Sequence, residues 1–287
     1  MADAQQTVER MQLGLVLVEL RSRAGASQQE AGAAVRKSPT RISQIEHGKG
    51  ALKHDDLVRL LELYGAAESE RDAVLALAKQ ARRRAPRRAY TDVLPDAFHR
   101  LADLQASASA IRHYASGVFP GLLQSPEYVR AVIEACDGYW WDESSGQVDT
   151  RIAFRLEQQR RVFAAVEAKS LAFVFTEDAL HNVVGGAAVM RGQVLHVLQL
   201  VERHPAISVQ ILRSGTVGNP ALGGDLTVLD FVNAPRIGYA PTLYGPTTYY
   251  DQPADTGPMA RVFERARELA LRPAESKALL IEHLKES

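Results

Sequence analysis

The chain has 287 residues, 46% hydrophobic and 24% charged, with 34 Lys+Arg against 34 Asp+Glu. This length suits two domains, the composition is that of an ordinary globular protein, and no segment reaches the roughly 18 consecutive apolar residues of a membrane span. The neutral total hides an asymmetry: residues 1–88 hold 16 Lys+Arg against 11 Asp+Glu, while the remainder holds 18 against 23. The cationic end is therefore the N-terminal one, where phosphate neutralisation can act despite a whole-chain pI near neutrality. The one cysteine, Cys136, excludes an internal disulfide and fits a reducing cytoplasm. The opening MADAQQTVERMQ puts polar and acidic residues ahead of the apolar run, the wrong order for a secretory signal, so a cytoplasmic location is expected.

In chain order, Leu13, Val16, Leu17 and Leu20 recur at helical spacing and predict a helix from about Val8 to Ala24. Ser27 is an N-cap for a shorter second helix whose small residues Ala31, Gly32 and Ala34 allow close approach of another helix, with Val35 closing its apolar side. Ser38 caps a third, with Pro39 suited to the first helical position. Ile42 and Ile45 bury one face of it, while Thr40, Arg41, Ser43 and Gln44 occupy the others, and Gly48 supplies the stop. Arg36-Lys37 between these helices leaves room only for a turn. Asp55 and Asp56 open a fourth helix carrying Leu57, Leu60, Leu61 and Tyr64, ending at Gly65, and a fifth runs from about Ser69 to Arg84. Arg41 lies in a first turn, where the helix dipole disfavours a cation, so an external anion is implied. Polar side chains at the start of a second helix after a tight turn are those that reach base edges in the major groove.

Residues 13–63 resemble the XRE, or lambda-repressor-like, helix-turn-helix family, on Ser27-Gln28-Gln29-Glu30 and on Ser38-Pro39-Thr40-Arg41-Ile42-Ser43-Gln44-Ile45-Glu46-His47-Gly48, with its specific I-S-x-I-E-x-G core. The resemblance implies that Gln28 and Ser43 hold backbone phosphates while Pro39, Thr40, Arg41 and Gln44 face the bases. Gln29, Lys37, Ser38 and Lys49 complete the expected DNA-binding set. It also implies that Glu46 meets Arg21. Two departures stand out: Arg36-Lys37 occupies the place of a glycine and an apolar residue, and Ala31 that of a leucine.

Lys79 to Arg88 places six cations in ten residues without an acid, which suits either a solvated linker or an added phosphate clamp. Beyond Pro86 the character becomes mixed. Leu101, Leu104, Ala108 and Ile111 predict an amphipathic helix; Val118 to Tyr128 reads as a loop feeding a helix capped by Ser125 with Pro126 behind it. A helix is expected over about Asp149–Ala168, displaying Arg151, Arg155, Arg160 and Arg161. Strands are expected at 171–176, 207–212, 226–231 and 237–239. A helix over about Ala188–Arg203 makes the first two strands parallel; Pro235 in a short turn makes the last two a hairpin. The glycine-rich stretch after Leu212 lacks any phosphate-binding pattern and reads as a flexible connection, and two helices, about Thr256–Leu271 and Ala274–Lys285, close the chain.

The segments FPGLLQSPEY at 119–128, Gln158-Gln159-Arg160, TEDAL at 176–180, VGG at 184–186 and VMRGQ at 189–193 are similar to a C-terminal domain of actinobacterial WhiJ-like regulators. Such regulators stand beside small partner proteins in an arrangement likened to toxin and antitoxin pairs. Phe119, Leu122, Gln124, Tyr128, Trp140, Trp141 and Arg155 form the candidate ligand or partner site, since loop aromatics can wall a pocket or anchor an interface. Glu177 and His181, four apart, lack an evident third metal ligand and read as a surface pair, and His196 and His204 likewise. No catalytic constellation, metal or cofactor is expected.

The expectation is a multidomain chain: an all-α five-helix helix-turn-helix domain over 1–85, a basic linker over 86–94 and an α+β (mixed α/β) regulatory or partner-binding domain over 95–287. Its expected function is sequence-specific, homodimeric binding of double-stranded DNA, controlled by a small-molecule effector or a small partner protein. The alternative is an antitoxin-like protein whose main task is neutralising a small cognate partner, with DNA binding for autoregulation. If the basic run is a phosphate clamp, replacing Arg82, Arg83 and Arg84 with alanine flattens the salt dependence of DNA binding by up to about 0.9 in log–log slope per lost contact; an unchanged slope in salt-titrated anisotropy leaves the run a linker.

Overall fold

The computed structural model of the chain describes residues 7–50, 52–81, 90–92, 97–137, 148–164, 169–241 and 247–286. The N-terminal part consists of α1 (Val8–Arg23), α2 (Gln28–Ala34), α3 (Pro39–Glu46), α4 (His54–Leu63) and α5 (Glu68–Ala81), close to the five expected helices. Three starts are set by hydroxyl caps: Thr7, Ser27 and Ser38 each accept from a first-turn amide, and Glu30 returns the bond to Ser27 to complete a capping box. Leu13, Leu17, Ile42, Ile45, Leu57, Leu60 and Leu61 form its core. The start of α1 belongs elsewhere: Val8 and Met11 join the core of the C-terminal part, and the Val8 amide donates to Asp251 Oδ2 at 3.1 Å.

The C-terminal part is built on one seven-stranded sheet. Its strands are β1 (Tyr90–Asp92), β2 (Ala110–Ala115), β3 (Ser170–Thr176), β4 (Ile207–Leu212), β5 (Leu226–Asp230), β6 (Ile237–Ala240) and β7 (Thr247–Tyr250), in the order β1-β7-β6-β5-β2-β3-β4. β2, β3 and β4 are parallel, and the other neighbours antiparallel. The parallel β3–β4 pair and the β5–β6 hairpin match expectation. The helices are α6 (Ala97–Ser107), α7 (Pro126–Cys136), α8 (Val148–Phe163), α9 (Asp178–His181), α10 (Ala187–Arg203), α11 (Pro253–Leu269) and α12 (Pro273–Glu286). One face of the sheet carries the larger core, with Ile111, Phe173 and Phe175; the other packs Tyr114, Val174 and Val228 on Phe263 and Ala266 of α11.

Three expectations change. Ala108 and Ile111 do not continue the helix of Leu101 and Leu104. Residues 110–115 instead form β2, whose burial on both faces removes the alternation that marks a strand. Secondly, the stretch 86–94 contributes edge strand β1 in addition to connecting the two parts. Thirdly, the glycine-rich connection is anchored: Asn219 Nδ2 donates to Tyr114 Oη at 2.8 Å and Ala221 joins the core against α11.

The segment 119–125 runs through the interior, with every residue buried except half-buried Gly121. Buried backbone groups need partners, and glutamine amides supply them. Gln159 Nε2 donates to the carbonyls of Gly121 (2.8 Å) and Gln124 (2.9 Å). Gln193 Nε2 donates to Leu123 O at 2.8 Å while its Oε1 accepts from Ser125 N at 2.7 Å. Gln124 turns back onto Phe119 O at 2.8 Å. These bonds tie the loop to α8 and α10 and let Ser125 cap α7. Gln193→Leu strands a buried amide and a buried carbonyl together, so it should lower stability by about 3 kcal/mol in urea denaturation followed by circular dichroism; a loss below about 0.5 kcal/mol contradicts the clamp.

Candidate functional site

The helix-turn-helix is fixed from behind by one carboxylate. Glu46 at the end of α3 is 5% exposed, receives Arg21 Nε at 2.6 Å and Nη2 at 3.1 Å, and accepts from Gln28 Nε2 at 2.7 Å. The expected Arg21–Glu46 contact is thus present. Burial, then the Glu46 charge, pushes the neighbouring Tyr64 hydroxyl up to about 12. The helices meet at glycines: a Cβ on Gly14 would lie 2.2 Å from the Glu46 carbonyl oxygen, and one on Gly32 would lie 2.5 Å from that of Lys37.

With Ile42 and Ile45 inward, α3 presents its remaining faces to solvent. Gln29, Ser38, Pro39, Thr40, Arg41, Gln44 and Lys49 are exposed, while Gln28, Lys37 and Ser43 are half-buried. Arg41 Nη1 donates to Gln44 Oε1 at 2.9 Å, which aligns the two long side chains side by side, and no carboxylate pairs with Arg41 among the described residues. Two expected contacts have structural partners here: Gln28 is engaged by Glu46, and Lys37 Nζ lies 2.9 Å from Asp56 Oδ2, holding that carboxyl below its ordinary range. Exposed Arg36 was absent from the expected set. It stands in the turn with φ 54°, a left-handed conformation that a non-glycine residue adopts at a cost of about 1 kcal/mol or more.

The C-terminal candidates divide. Phe119, Leu122, Gln124 and Tyr128 are buried, the rings of Phe119 and Tyr128 meeting edge to face at 5.4 Å, and present no outward surface. Trp140 and Trp141 lie outside the described residues, as do Arg82 to Arg88. Arg155 is half-buried on α8 and points toward the sheet, where its charge is felt by His113 of β2. Burial, then Arg155, lowers the His113 ring to about 4, so it is neutral at physiological pH. Of the pairs weighed as metal ligands, Glu177 is bound by Arg213 Nη1 at 2.6 Å and by the Ser214 amide at 3.0 Å; His181 sits edge-on to His283, and His204 stacks on Phe163.

A compact helical domain with an exposed polar recognition helix, followed by a domain on a mixed sheet, defines a two-domain helix-turn-helix protein. Residues 12–74 match the family described as a helix-turn-helix domain, and residues 98–282 match the family described as a domain of unknown function (DUF5753). The latter covers more than half of the chain, so the protein belongs to that family. No curated protein matches the sequence. No helix among the described residues is long and apolar enough to cross a membrane.

The left-handed turn yields a test. Arg36→Gly should raise stability by about 1 kcal/mol, read from the urea midpoint, while weakening DNA binding through the lost cation. A destabilised variant would mean that the Arg36 side chain contributes more than its backbone costs.

Proposed function

We propose that this protein is a sequence-specific DNA-binding transcription regulator of the XRE type that acts as a homodimer on double-stranded DNA. The observation that carries the reading is the exposed row Pro39, Thr40, Arg41 and Gln44 on a helix fixed from behind by the Arg21–Glu46 pair. Arg41 and Gln44 are the side-chain types that make bidentate contacts to guanine and adenine edges, and their mutual hydrogen bond holds both extended before DNA arrives. Ser43, Lys37 and Arg36 at the rim suit phosphates, fixing register without reading sequence. Two such elements in a symmetric dimer call for half-sites about one helical turn apart.

The C-terminal domain, similar to that of WhiJ-like regulators, is on this reading the part that senses an effector. Burial of Phe119, Leu122, Gln124 and Tyr128 favours a small molecule held inside the domain over a protein docked on that loop. An effector shifts DNA affinity only through its differential affinity for two conformations of the chain. The route to the DNA-binding part is direct: Val8 and Met11 of α1 share the core of the C-terminal domain while Leu13 and Leu17 of the same helix hold α3. No catalytic role is assigned.

For an operator selected from random sequence, Arg41→Ala and Gln44→Ala should each reduce specific affinity by about ten- to a hundredfold in mobility-shift titrations, with a much smaller effect on non-specific DNA. Unchanged specific binding in both variants removes the assignment of α3 as the reading helix. Native mass spectrometry of the protein from its own host separates effector types: an added mass of a few hundred daltons supports the small-molecule reading, and a bound polypeptide replaces it.

A further inference from the structure

Arg155 differs from two other enclosed arginines, Arg21 and Arg112, in having no acidic partner among the described residues. Arg21 holds Glu46, and Arg112 holds Asp230 and Glu264. Arg155 has one hydrogen bond, to Gln158 Oε1 at 3.2 Å, and no carboxylate among the described residues. A buried guanidinium without an anion is unfavourable, and burial accordingly lowers its proton affinity. The fold nevertheless holds it in place. Gln158 is 3% exposed and its Nε2 is committed to Gln105 Oε1 at 2.6 Å, which aims its own oxygen at Arg155. Gly121 makes room above, since a Cβ there would lie 3.0 Å from Nη1.

Arg155 faces His113 and Tyr239, members of one register row of the sheet in which Phe173, His113, Thr227, Tyr239 and Tyr249 stand opposite one another across β3, β2, β5, β6 and β7. His113 and Phe173 have ring centroids 6.3 Å apart, and Tyr239 and Tyr249 have theirs 5.3 Å apart, so much of this row is aromatic. His113 Nδ1 is enclosed and has no hydrogen-bond partner, while other parts of His113, Arg155 and Tyr239 keep some accessible surface. Among the described residues, Arg155 is the one charged side chain whose field acts on His113. A single cation, a neutral imidazole and the partly accessible Tyr239 ring match one negative charge on a flat apolar body; a phosphate dianion would remain half-compensated.

We propose that the C-terminal domain binds a small organic monocarboxylate between α8 and the sheet, its carboxylate on the Arg155 guanidinium beside the His113 ring, its apolar body against the Tyr239 ring. The proposal deepens the effector reading and rests on it for the consequence at DNA, though not for the binding itself. Bidentate seating uses the nitrogens of Arg155 not committed to Gln158.

The test uses the full chain and three probes: benzoate, acetate and inorganic phosphate. At about a hundredfold excess over Kd, benzoate should raise the melting temperature by about 5 to 10 °C and acetate by less. Arg155→Met should abolish the shift, and without probe should melt at or above wild type, because a buried unpaired charge has been removed. Arg155→Lys, which keeps the charge and loses the fork, should retain a reduced shift and guards against a Met variant that fails to fold. A benzoate shift that survives in both variants, or no shift with any probe, overturns the proposal; a shift with phosphate alone replaces the carboxylate by an inorganic oxyanion. Mobility-shift assays with benzoate then separate the two readings: Arg155-dependent binding that leaves operator affinity unchanged keeps the site and removes its effector role.

Discussion

A polar backbone taken out of water must find partners inside the protein, and the path of residues 119–125 through the C-terminal domain makes that constraint decisive. Two glutamines meet most of it: Gln159 from α8 and Gln193 from α10 bind three of the loop's carbonyls and one of its amides. Because these amides come from different helices, satisfying the loop also sets where α7, α8 and α10 stand over the sheet. The position of Arg155 follows, since it lies on α8 one residue row from the clamp and beside Gly121. Apolar packing alone leaves helices some freedom to slide, whereas hydrogen bonds with fixed geometry do not.

The N-terminal domain uses the same physics with a charge in place of amides. Glu46 is buried at the end of α3 and is compensated by the fork of Arg21 and by Gln28. A pair of this kind contributes little net stability compared with an apolar substitute, and what it does define is a single arrangement of α1, α2 and α3. That arrangement in turn holds Arg41 and Gln44 outward. Glu46 and the loop carbonyls bound by Gln159 and Gln193 are compensated, while Arg155 has no carboxylate among the described residues and the Nδ1 of His113 has no hydrogen-bond partner, as is also true of the Gln12 amide and the Tyr64 hydroxyl. Unsatisfied polarity in an otherwise well-compensated interior is where a ligand has most to contribute.

Legibility in the sequence followed the range of the interactions involved. Caps and turns act over three or four residues, so Ser27, Ser38 and Pro39 located α2 and α3, and the place of a missing glycine pointed to the residue with positive φ, Arg36. β2 is not legible in the sequence because its burial depends on β3 and β5 on either side and on helices on both faces, and a short strand buried on both faces carries no alternation. β1 was hidden in a basic stretch because its only signal is the partner β7, more than 150 residues away. Among candidate site residues, Phe119, Leu122, Gln124 and Tyr128 were noticed as a motif, but the motif reflects packing and backbone satisfaction; Arg155 differs from its neighbours Arg151, Arg160 and Arg161 only through what surrounds it.

The sequence by itself determined the five-helix order of the N-terminal domain, the place of its helix-turn-helix, and the alternation of strands and helices that makes the second domain mixed, because each rests on local periodicity and capping. Tertiary structure alone decided that Gln28 and Lys37 are held by Glu46 and Asp56, that the loop at 119–125 is interior, and that Arg155 faces His113 across about 40 residues of chain with no carboxylate beside it among the described residues. Charge compensation is a property of three-dimensional neighbours, and composition, with its 34 positive and 34 negative side chains, carries no trace of which cations are paired.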